Sequence, residues 1–134
     1  MAAPIFKHNP PTDPRDDPNH PIPSLAVIDV MTVKKGGGAD LTIVIASPLQ
    51  GDKVSLTRLQ DKIEGYLGYI LSKEFQLQAG SPTSDNTSII VKVHPDSDQL
   101  AFTLLKKSAA WGVNNRATLK VELLTPYEMG NSPA

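Results

Sequence analysis

Proline is crowded into one end of this chain. Seven of its 12 prolines (Pro4, Pro10, Pro11, Pro14, Pro18, Pro21 and Pro23) lie in the first 24 residues, and only Pro48, Pro82 and Pro95 fall between residues 25 and 125. Proline fixes φ and donates no backbone hydrogen bond, so residues 1–24 are expected to be extended and unable to build a core. The stretch Asp13-Pro14-Arg15-Asp16-Asp17-Pro18 has almost nothing apolar to bury. Two readings follow: a disordered tail, or an arm laid across this domain or a neighbour with Ile5, Phe6 and Ile22 as anchors.

The texture changes at Leu25. Residues 25–33 are β-branched and apolar and read as a first strand, followed by a flexible connection over Lys34–Asp40 that contains Gly36, Gly37 and Gly38. Leu41, Ile43 and Ile45 share one face of a second strand. Asp52 is placed to cap a long helix running to about Phe75, in which Leu56, Leu59, Ile63, Tyr66, Leu67 and Ile70 form one apolar stripe. A polar loop over 80–88 leads to a third strand with Ile89, Val91 and Val93 alternating against Ile90, Lys92 and His94. Pro95 ends it, Asp96 or Ser97 caps a helix from about 97 to Trp111, and Ala117, Leu119, Val121 and Leu123 mark a fourth strand.

Two helical crossovers between strands imply parallel neighbours, and the hairpin implies an antiparallel first strand. The clean alternation of the fourth strand argues against cover on both sides. The expected fold is α+β: a four-stranded mixed sheet in the order β-β-α-β-α-β with two helices on one face, and the other face open. The expected divisions are a Pro-rich arm or tail over 1–24, one domain over 25–125 and a polar tail over 126–134.

Ile28-Asp29 in the first strand, Leu59-Gln60-Asp61-Lys62-Ile63 and Tyr66-Leu67-x-Tyr69-Ile70 resemble an uncharacterised bacterial family of small domains. In that family a helix of the Leu-Gln-x-Lys-Ile-x-x-Tyr-Leu type follows a β-hairpin, with a strand, a helix and a strand after it. The resemblance covers most of residues 25–125, supports the element order and implies no activity. The Pro-rich extension, Gly65 and Gly68 depart from it.

Composition removes several classes of function. Thirteen Lys+Arg against 14 Asp+Glu leave a net charge of −1, without the basic surplus of an electrostatic nucleic-acid or membrane binder. The absence of cysteine excludes disulfides and thiolate chemistry, and suits a reducing, cytoplasmic setting. No run of 18 apolar residues suggests a membrane span. The glycine-rich loop joins two strands rather than a strand and a helix N-terminus, so it does not read as a phosphate cradle. His8 and His20 sit in the Pro-rich segment away from any rigid ligand set, so neither metal nor cofactor is expected. Asp29, a carboxylate in an apolar strand, and His94, beside Asp96 and Asp98, are the catalytic candidates; an enzyme or small-ligand site requires that they converge.

Two surfaces ask for a partner. On the open face Ile28, Val30, Val44 and Ile90 can form an apolar patch rimmed by Lys92, Lys120 and Glu122. On the outer side of the long helix, Gly65 and Gly68 point away from the apolar stripe beside Tyr69 and Phe75, and each glycine weakens a helix by about 1 kcal/mol relative to alanine. A docked backbone, the N-terminal arm included, would account for both. The expected function is therefore a non-enzymatic protein-binding domain, with a homodimer or a heterologous protein as partner, and an immunity- or antitoxin-type role as one form of it.

Overall fold

A computed structural model describes residues 13–113 and 117–128 of the chain, with 111–113 described by backbone alone. Expectations for Ile5, Phe6, His8 and the last tail residues, 129–134, lie outside the described residues. The elements run β1 (Val30–Val33), β2 (Ala39–Ile45), α1 (Lys53–Ile70), α2 (Lys73–Ala79), β3 (Thr87–Val93), α3 (Gln99–Val113) and β4 (Thr118–Leu123). The four strands form one sheet in sequence order, with β1 antiparallel to β2 and the remaining pairs parallel. This is the expected mixed α+β sheet.

Register sorts the side chains into two faces. Leu41, Ile89 and Leu119 form one row and Ile43, Val91 and Val121 the next, followed by Ile45, Val93 and Leu123. Leu59, Ile63, Leu67 and Ile70 of α1, Phe75 of α2 and Ala101 and Leu105 of α3 pack with these rows in one core. Cover fades along β4: Leu119 is 5% exposed, Val121 38% and Leu123 55%. The opposite face carries Val30, Thr42, Ile90 and Lys120 in one row and Val44, Lys92 and Glu122 in the next. No helix among the described residues covers that face.

Four local expectations are corrected. The first strand occupies Val30–Val33 only, because Leu25 is spent on packing against the core beside α1. The long helix is two: Ser72 donates from its hydroxyl to the Tyr69 carbonyl and accepts from the Phe75 N–H, starting α2 as its N-cap. Phe75 is consequently buried, with its ring edge against Tyr69, rather than exposed beside the glycines. The α3 cap is Asp98, whose Oδ1 accepts from the Leu100 N–H, while Ser97 accepts from the Leu49 N–H.

The hairpin turn has two positions that demand glycine: Gly37, at φ +103° with a Cβ 2.4 Å from the Gly80 carbonyl oxygen, and Gly38. Gly38 has φ +86°, its N–H donates to the Ala79 carbonyl at 2.7 Å, and a Cβ there would lie 2.2 Å from the Asn86 carbonyl oxygen. The turn is thereby fixed against the end of α2 and the 80–87 loop, as structural packing rather than as an anion site.

Candidate interaction site

The segment from Asp13 to Asp29 crosses α1 as a strap, and Ile22 (2% exposed) enters the core. Ile22 is one of the three anchors named for an arm laid across this domain. A proline-rich strap has no sheet partner for its carbonyls, and a carbonyl buried without a donor is costly. Two cations on α1 supply the donors. Arg58 Nε and Nη2 both donate to the Ile22 carbonyl, at 2.9 and 2.6 Å, and Nη1 donates to the Arg15 carbonyl at 2.6 Å.

Lys62, 1% exposed, directs its three ammonium protons to the Ser24 carbonyl, the Val27 carbonyl and Asp29 Oδ1. The Asp29 side chain, 26% exposed, neutralises that charge and uses its other oxygen to accept from the Val44 N–H. Tyr66 completes the arrangement: its hydroxyl accepts from the Asp29 N–H and donates to the Thr42 carbonyl. Burial, reinforced by the Asp29 charge, raises the Tyr66 pKa and keeps the phenol neutral.

At the far end of the strap, His20 Nδ1 accepts from the Ile22 N–H, which requires the neutral ring, and Nε2 then donates to Ser55 Oγ at 2.9 Å. Desolvation, then the nearby Arg58 charge, lowers the His20 pKa; Asp17 and Asp52 act against that shift. Ser55, Arg58, Lys62 and Tyr66 thus form a second, polar stripe along α1, beside the apolar one.

The predicted interface residues divide between two places. Val30, Val44, Ile90 and Lys120 share the open sheet face. Val30 is 48% exposed and Val44 and Ile90 are half-buried, with Thr42 between Val30 and Ile90. Ile28 does not join them: it packs against the core and lines a groove of about 520 Å³ with Leu25, Gly65 and Tyr69. At Gly65 a Cβ would touch the Leu25 carbonyl at 3.4 Å, so the strap passes over this glycine; Gly68 has nothing within 4 Å. The Tyr69 hydroxyl donates to Gln78 and is not free.

The catalytic candidates are not brought together by any hydrogen bond or ion pair. Both Asp29 oxygens are engaged by Lys62 and Val44, while His94 Nδ1 accepts from the Asp96 N–H. Among the described residues no cluster of three or more His, Asp or Glu side chains could hold a metal ion. No described helix is long and apolar enough to cross a membrane.

Sequence reasoning missed Arg58 and Ser55, named Lys62 only as part of the Leu59–Ile63 motif, and weighed His20 only as a metal ligand. Their signal was present as the spacing of Ser55, Arg58, Lys62 and Tyr66 next to a segment full of donor-poor prolines.

A family model described as a family of unknown function (DUF6572) matches residues 21–125. No curated protein and no solved structure matches the chain. The matched span begins inside the strap, one residue before Ile22, and so includes the Arg58 and Lys62 contacts to Ile22, Ser24, Val27 and Asp29.

Proposed function

We propose that this chain, which belongs to the family of unknown function DUF6572, is a non-enzymatic protein-binding domain that receives its partner on the open face of its sheet. One observation carries the reading. The described helices lie on one side of the sheet only, while Val30, Val44 and Ile90 stand on the other among Thr42, Lys92, Lys120 and Glu122. An apolar centre within a rim of both charge signs suits a protein surface better than a polyanion, which would select a basic track. The face has no aromatic platform on which a base could stack.

The partner is a second copy or a different protein, and an immunity- or antitoxin-type role is one that such a surface serves. The catalytic alternative on Asp29 and His94 gains no support from their separate hydrogen-bond partners.

The test is site-specific crosslinking. A photoreactive residue at Ile90 should capture a partner protein, the same residue at Leu77 on α2 should not, and Val44→Lys should abolish capture while circular dichroism stays native. A folded Val44→Lys chain that still captures its partner from position 90 overturns the reading.

A further inference from the structure

The outer edge of β4 has its own geometry, distinct from the open face. β4 is the last strand of the sheet, and no described strand pairs with its outer side. Its backbone therefore offers a row of N–H and C=O groups ready for a further strand. Beside that edge the helical layer stops short: Val121 and Leu123 are 38% and 55% exposed although they continue the buried row begun by Leu119. On the opposite face the same strand alternates Lys120 with Glu122, both exposed. After the strand the chain turns through Thr125–Glu128, and Glu128 pairs with Lys92 on β3, so this turn reaches toward β3 rather than along the outer side of β4.

The order of these side chains is self-complementary. If two β4 strands meet antiparallel about a twofold axis at Val121, each residue faces one of the same face on the other copy. Lys120 then lies opposite the partner's Glu122 and Glu122 opposite the partner's Lys120. Val121 meets the partner's Val121, and Leu119 meets the partner's Leu123. Over Leu119–Leu123 both charge pairs are of opposite sign, and every apolar residue finds an apolar one. A slip by one residue would set charged side chains against apolar ones, so the alternation also fixes the register.

We infer that β4 is a self-association edge: two copies of this chain pair β4 to β4, antiparallel and centred on Val121, into one continuous eight-stranded sheet. The occupant is a second copy because the charge order of the strand complements itself. This goes beyond the open-face reading and stands without it, since Val44 lies on β2 away from the edge, and Val44→Lys leaves edge pairing intact.

Sedimentation of the full chain over about 1 µM to 1 mM, a span suited to a small interface, reads the association directly. The wild type should pass reversibly from monomer to dimer. Lys120→Glu and Glu122→Lys, each of which sets like charges opposite one another twice per dimer, should weaken association about tenfold or more. Combining the two reversals restores the opposite-sign pairs and should restore the dimer. A wild type that stays monomeric throughout, single reversals that associate as the wild type does, or a double reversal that fails to recover would each overturn the inference. Amide exchange in wild-type β4 gives a readout without mutation: protection should rise with protein concentration, and protection independent of concentration would overturn it as well.

Discussion

Lys62 and Asp29 join the strap, the first helix and the hairpin in one contact: the buried ammonium lies 2.9 Å from Asp29 Oδ1 while the same carboxylate accepts from the Val44 N–H on β2. The pair is asymmetric. The lysine side chain is 2% exposed and that of the aspartate 26%. Loss of the aspartate strands a buried cation, whereas loss of the lysine leaves an anion that water can reach but also strips the Ser24 and Val27 carbonyls of their donor. Asp29→Ala should therefore cost about 3 kcal/mol of folding stability, read by urea unfolding. Asp29→Asn keeps an oxygen for only one of the two donors, Lys62 or the Val44 N–H, and should fall between wild type and Asp29→Ala. An Asp29→Ala chain as stable as the wild type would contradict this account of the pair.

His20 makes the seating of the strap depend on pH. Its folded-state pKa is lowered, so below the ordinary imidazole value near 6.5 the unfolded chain binds a proton that the folded one resists. Stability is therefore complete above that value and declines as the pH falls through and below it. Protonation at Nδ1 also removes the acceptor of the Ile22 N–H. Once exchange is corrected for its intrinsic slowing at lower pH, protection of the Ile22 amide should fall between pH 7 and pH 5 in the wild type, and His20→Asn should flatten the response. An unchanged pH profile in His20→Asn would assign the effect to another group.

Glycines at different places should respond in opposite directions. Gly38→Ala forces a side chain into a positive φ and onto the Asn86 carbonyl, and should destabilise by about 2 kcal/mol or more. Gly68→Ala meets open space in a helix and should stabilise by about 1 kcal/mol. Thermal unfolding of the two variants side by side checks both signs, and Gly68→Ala lowering the melting temperature would show that something not visible among the described residues occupies that spot.

The central strands were legible because β2, β3 and β4 alternate between a row under the helices and a row that is not, and periodicity two has no other common cause. The first strand was over-read: apart from Asp29 and Thr32, Leu25 through Val33 is apolar, and composition alone does not distinguish residues that pair in a ladder from residues that pack across a helix. The break at Leu71 was hidden because Ser72 is an ordinary helix residue until its hydroxyl finds the Tyr69 carbonyl. Arg58 and Lys62 were passed over for a related reason. On a helix such residues are usually solvated, and only the position of a donor-poor segment above them turns them into structural groups. Gly65 was readable as a place of close backbone approach, whereas Gly68, one turn on, has no visible occupant.

The strap is fastened crosswise, by side chains reaching up to it at Arg58 and then at Lys62. Tension applied at the amino end would meet these fasteners one after another before it reached β1. A pull on that end would peel the strap off the helix in steps, and the sheet would feel the load last.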